Sequence, residues 1–219
     1  MKKLMMIAAM MVAAVTANAQ NEVGQITLQP KVGLNIFTLT GSGNKTRAGL
    51  AAGVEAEYGV AENFGITFGA LYSMQGTKQE DTEDGVKVGA KYNLDYINIP
   101  ILAQYYVIPG LAIKAGVQFG FVVRNKVKLD ASIPGIAGDS DEYSVNEFLN
   151  TYRDLPESNI PDNAKLNKFD FAIPVGLSYE YQNFVLDARY NIGLSKTIKN
   201  VNKGKNSVFQ ITVGYKFAL

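Results

Sequence analysis

Residues Phe64–Gln75 read FGITFGALYSMQ. Phe64, Ile66, Phe68, Ala70, Tyr72 and Met74 share one phase of a two-residue period. Gly65, Thr67, Gly69, Ser73 and Gln75 share the other. That period sends the two sets to opposite faces of a β-strand. One face is bulky and aromatic, and the other is small and polar.

The same alternation recurs along the chain. Before this stretch it runs through Val32, Leu34 and Ile36, and through Ala52, Val54, Ala56 and Tyr58. After it come Ile97, Ile99, Ile101, Ala103 and Tyr105, then Ile113 through Val123. The last three runs are Phe171–Tyr179, Phe184–Ile192 and Phe209–Phe217. Each segment is about the 9–11 residues a tilted strand needs to cross a bilayer. No later stretch has the ~20 continuous apolar residues of a membrane helix.

The connections alternate in length. Short ones lie near Val60–Asn63, at Ile108-Pro109-Gly110 and at Gln182-Asn183. Long ones run about Leu39–Gly49, Gly76–Asn93, Val127–Lys168 and Ser195–Asn206. Short periplasmic turns and long outer loops are the outer-membrane arrangement. The expected fold is therefore all-β: an eight-stranded antiparallel up-and-down transmembrane barrel.

Residue size decides which face meets lipid. Gly33, Gly53, Gly65, Gly69, Gly116, Gly120, Gly176, Gly193 and Gly214 all fall on the polar face. An eight-stranded barrel is just wide enough inside for its side chains, so the small, polar face points inward. Lys31, Glu55, Glu57, Lys114, Arg124, Asp170, Glu180, Asp187, Arg189 and Lys216 are then the interior charges. Buried charges must be paired, and this set is balanced. Tyr58, Phe64, Tyr72, Tyr105, Tyr179, Phe184 and Phe217 lie near segment ends, where interfacial girdles form. Pro100 and Pro174 interrupt two strands and are expected to mark bulges.

Residues 1–19 have the three parts of a secretory signal: Lys2 and Lys3, an apolar run, and Ala17-Asn18-Ala19. Cleavage after Ala19 makes Gln20 the first mature residue, with 20–219 as the barrel domain. The chain holds 21 basic and 20 acidic residues. Losing Lys2 and Lys3 leaves it near neutral, with no basic footprint for nucleic acid. It has neither Cys nor His. Thiolate sites, lipoprotein anchoring and His-dependent catalysis thereby lose their key residue. No enzyme activity and no cofactor is expected.

The loop at about 127–168 is the longest. Ser144-Val145-Asn146-Glu147 has the form of a capping box opening a short helix, with Phe148, Leu149 and Tyr152 on one side. Asp81, Glu83 and Asp84, with Asp139 and Asp141, lack the spacing of a calcium loop and read as solvated.

The last residues, Thr212 to Leu219, run polar-x-Gly-x-x-aromatic-x-hydrophobic. Gly214, Tyr215, Phe217 and Leu219 thus resemble the signal that hands outer-membrane barrels to the barrel-assembly machinery. The chain as a whole resembles the PorT-like outer-membrane β-barrel family. The resemblance rests on Lys31-Val32-Gly33-Leu34-Asn35, Tyr96-Ile97-Asn98-Ile99-Pro100, Asp187-Ala188-Arg189-Tyr190-Asn191 with Gly193-Leu194, and Gly214-Tyr215-Lys216-Phe217. It implies a small barrel in the outer membrane of a Gram-negative bacterium and brings no catalytic residues. One namesake of that family serves protein secretion. Four roles remain open: a structural or interaction protein working through its outer loops, a narrow porin-like channel for small solutes, an accessory subunit of a secretion or envelope complex, and, with the barrel turned inside out, a soluble periplasmic or secreted lipocalin-like binder. The partners implied are outer-membrane lipid, the assembly machinery during insertion, and in the third case another envelope protein.

Overall fold

A computed structural model describes residues 23–40, 47–83, 86–132, 139–152, 165–199 and 205–219. The expected leader and its cleavage site at Ala17, Ala19 and Gln20 lie outside them. In chain order the elements are β1 (Ile26–Thr40), β2 (Arg47–Ala61), β3 (Phe64–Glu83), β4 (Val86–Ile108) and β5 (Leu111–Ser132). There follow β6 (Asp139–Tyr143), helix α1 (Val145–Tyr152), β7 (Lys165–Leu166) and β8 (Phe169–Tyr181). The chain ends with β9 (Phe184–Lys196), β10 (Ile198–Lys199), β11 (Lys205–Tyr215) and β12 (Phe217–Ala218).

Eight long strands form the wall, in the order β1-β2-β3-β4-β5-β8-β9-β11. Every neighbouring pair is antiparallel, and β1 pairs with β11 from Lys31↔Gly214 to Thr40↔Lys205. β12 continues the seam at Thr27↔Ala218. Closure leaves the wall without an edge, which lipid demands because it cannot satisfy a free N–H or C=O.

The wall is apolar outside and polar inside. Val32, Leu34, Phe68, Leu177, Leu186 and Val213 are each at least half exposed. Their neighbours in the opposite phase, Lys31, Asn35, Thr67, Ser178, Asp187 and Thr212, are buried. Aromatic side chains mark both ends of the apolar band. Phe184, Tyr215 and Phe217 stack at the short-turn end, with ring centroids 5.2 and 4.7 Å apart. Toward the other end, Phe119, Phe121, Phe169 and Phe171 form a patch on β5 and β8.

Glycine does more here than leave room. At Gly65 and Gly69 an added Cβ would meet the Glu57 and Glu55 side chains, so these glycines make space for interior charges. At Gly33 and Gly116 it would fall 1.9 and 2.0 Å from the carbonyl oxygens of Ile211 and Ile101 on the adjoining strands. There the backbones approach too closely for any side chain.

Three expectations need correction. The stretch 76–93 is not a loop: Gly76↔Asn93 through Glu83↔Val86 continue the β3–β4 ladder. Thr77, Lys78, Gln79, Glu80 and Asp81 are polar in both phases, so no hydrophobic period marks this part of the hairpin. The loop at 127–168 likewise begins as strand, with β5 running to Ser132 and pairing with β6. Pro100 and Pro174 mark no bulge. Pro100 keeps register with Gln118, and Pro174 with Asn191. The ladder simply lapses on the other side, between Phe68↔Ile101 and Leu71↔Asn98, and between Ala115↔Val175 and Gln118↔Ala172. A missing N–H removes a rung without shifting the strand.

Candidate functional site

The lumen is filled in layers. At its centre Arg189, on β9, reaches across to Glu55 on β2, with Nη1 2.7 Å from Oε1 and Nη2 3.1 Å from Oε2. The same guanidinium donates to both carboxylate oxygens of Asp187, at 2.7 and 2.8 Å. Lys31 donates to Glu55 at 2.6 Å, and Lys114 to Asp187 at 2.9 Å. Arginine suits this place because its planar fork can hold two carboxylates at once.

Toward the short-turn end lies a second cluster. Lys216 contacts Glu180 at 2.5 Å and Glu57 at 3.0 Å. It also donates to the Tyr106 hydroxyl at 3.0 Å, which donates in turn to Glu57 at 3.0 Å. Tyr106 on β4 and Lys216 beyond β11 stand on opposite walls, so this layer spans the lumen. The two clusters combine four cations with four carboxylates. The centre carries one excess positive charge and the lower layer one excess negative charge.

In the layer next above the centre the filling is neutral. Asn35 donates to Ser73 at 2.8 Å and accepts from Gln210 at 2.9 Å. Higher again, Asn206 donates to the Tyr96 hydroxyl across the lumen at 3.3 Å, and Asp170 accepts from Ser195 at 2.8 Å. An apolar roof closes the outer end. Leu94, Tyr96 and Val127 of the wall pack with Val145 and Leu149 of α1 and with Leu166 of β7.

The helix that supplies the roof starts at the expected capping box. The Ser144 N–H donates to Glu147 at 2.8 Å, and the Glu147 N–H donates to the Ser144 hydroxyl at 3.2 Å. Leu149 is buried as the spacing suggests, and Val145 joins it. Phe148 is half-buried, and the Tyr152 side chain lies outside the described residues. The Ser144 backbone N–H, then its hydroxyl, hold the Glu147 carboxyl below its ordinary 4.5. A depressed folded value stabilises the helix start at pH above the ordinary value. That contribution fades as pH falls through the depressed one. Amide exchange at residues 145–149 should therefore quicken on acidification below about pH 4.5, relative to the wall strands. Glu147→Gln should remove that dependence, and an unchanged profile in the variant would contradict the role of the box.

Nine of the ten expected interior charges face the lumen, and eight of them form the two clusters. Asp170 is set apart among hydroxyl and amide groups. Arg124 is the exception. Its side chain is 51% exposed and 3.9 Å from Asp95, on the outer surface. The cause is a bulge: Tyr96 pairs with Val122, but Asp95 pairs with Arg124. Val123 is the extra residue, and it reverses the alternation beyond it. Beside this pair, Tyr72 turns its hydroxyl to Asp95 at 2.6 Å. One residue of the lower cluster, Tyr106, lies beyond the alternating runs of the sequence. Tyr106 lies in phase with Gln104, so one more step of the alternation reaches it. Of the terminal residues, Tyr215 and Phe217 face outward and Gly214 faces inward beside Gln29.

No curated protein matches the sequence. Among solved structures the chain is similar to Ail, the attachment invasion locus protein of Yersinia pestis. Identity is 15%, covering 90% of this chain and 100% of that one, with a TM-score of 0.43. It is also similar to the outer membrane protein OprG of Pseudomonas aeruginosa, at 14% identity, 91% and 98% coverage and a TM-score of 0.44. Neisserial surface protein A aligns at 11% identity, 88% and 97% coverage and a TM-score of 0.44. A family described as outer membrane protein beta-barrel domain matches residues 18–199. With its closed ladder, apolar outer wall and filled polar lumen, the chain belongs to this outer membrane protein β-barrel family and resides among the lipids of the bacterial outer membrane.

Proposed function

We propose that this protein is a non-conducting, non-enzymatic barrel whose work is done by the surface it raises above the outer leaflet. The observation that carries this reading is the crossing of the lumen by ion pairs at two levels beneath an apolar roof. An ion entering such a lumen would have to separate charges that hold each other in a low-dielectric wall, at a cost of several kcal/mol. The raised surface consists of the outer part of β3–β4, the β5–β6 hairpin and α1. Its β3–β4 and β5–β6 parts are held by ladder pairing, which suits a fixed contact face. The PorT-like resemblance fits the same reading, with a further envelope protein as partner.

Biogenesis completes the proposal. A leader is removed between Ala19 and Gln20, and Gly214, Tyr215, Phe217 and Leu219 present the last strand to the barrel-assembly machinery. Phe217 is exposed and in line with Tyr215, so both side chains are available on the outer face.

Planar-bilayer recording on the mature chain tests the closed lumen. The expected record is a flat baseline without discrete openings. Steady, ion-selective steps would establish the narrow-channel reading instead.

A further inference from the structure

Lys205 of β11 lies directly opposite Lys196 of β9. Like charges in that position repel. Lys168 precedes β8 and follows Asn167, which ties that end of the strand to β9. The Asn167 N–H donates to the Thr197 carbonyl at 2.8 Å and its side-chain amide to the Lys196 carbonyl at 3.2 Å. All three lysines are exposed. Among the described residues no carboxylate pairs with any of them. The β5 lysines differ: Lys126 and Lys128 share Glu142 at 3.2 and 3.0 Å.

The position of the three lysines narrows what could answer them. Lys196 and Lys205 point out of the barrel, since Thr197 and Asn206 beside them point in and bond to each other. Below them lie Leu194 and Phe169, exposed by 42 and 40%, and, past Ser207 on β11, Phe209, exposed by 38%. That apolar surface must be covered by acyl chains. Whatever lipid covers it places its headgroup at the height of the lysines.

We infer that Lys168, Lys196 and Lys205 form a site for the phosphate groups of an anionic outer-leaflet lipid whose acyl chains lie on Leu194, Phe169 and Phe209. A phosphate between Lys196 and Lys205 turns their mutual repulsion into two attractions.

The test uses the full mature chain in phosphatidylcholine nanodiscs containing lipid A with both phosphates, or the same lipid with its phosphates removed. Retention by native mass spectrometry should favour the phosphorylated form. Substituting all three lysines by glutamine should weaken it more than tenfold, from about fivefold per cation near a charged surface. The triple arginine variant should retain it. K126Q/K128Q should change it little. Heat-modifiable mobility checks that each variant is folded. Equal retention of both lipids, or an unaffected triple glutamine variant that is folded, would overturn the site. Displacement of the lipid by millimolar inorganic phosphate would overturn the lipid as its source and leave a free-phosphate site.

Discussion

Glu55→Gln is expected to destabilise the barrel by about 3–5 kcal/mol, the usual effect of removing one partner from a buried ion pair. Glu55 is fully buried and accepts from both Lys31 and Arg189. Its carboxylate and that of Asp187 balance three cations, Lys31, Lys114 and Arg189. Neutralising Glu55 raises the buried excess from one positive charge to two. Lys31 suffers most, because its next carboxylate is Asp187 at 3.6 Å, already held by Lys114 and Arg189. Adding Lys31→Met returns the excess to one and should recover part of the loss. Urea titration of the chain folded into lipid vesicles gives both numbers. A loss below about 1 kcal/mol for the single variant, or strict additivity of the pair, would mean that the central cluster is not a coupled unit.

Gly116→Ala and Gly33→Ala should cost about 3 kcal/mol or more each, at or beyond the upper end of ordinary overpacking. The added methyl would meet the carbonyl oxygen of Ile101 or Ile211, which belongs to a ladder on both sides. Neither backbone can retreat without losing rungs that lipid will not replace. Gly65→Ala is the comparison. There the nearest atom is the Glu57 Oε1 at 2.7 Å, the far end of a flexible side chain. Its cost should be clearly smaller. The order of unfolding midpoints in vesicles is the measurement, and a Gly65 variant as damaged as the other two would show that interior volume, not backbone approach, selects glycine.

The lipid-facing and lumen-facing sets could be read from the sequence because each is a property of a single strand. Val32, Leu34 and Ile36 lie in one phase, and Lys31 and Asn35 in the other, whatever strand lies beside them. The capping box was legible for the same reason, since Ser144 and Glu147 are three residues apart and meet within one turn. The extension of β3–β4 was not legible. From Thr77 to Asp81 both phases are polar, so nothing in the composition there distinguishes strand from loop.

An exported, closed, eight-stranded wall with lipid outside and charge within follows from the residues alone, because the two-residue period and the placement of glycine are local. The tertiary structure alone decided which charges meet. Arg189 pairs with Glu55, which is 134 residues away, and that choice depends on the stagger between strands. It also decided that Arg124 faces outward and that Lys196 faces Lys205. One inserted residue, Val123, reverses the phase of the residues that follow it on β5 through Leu129. Cross-strand register is fixed only when the whole ladder closes, so no stretch of sequence contains it.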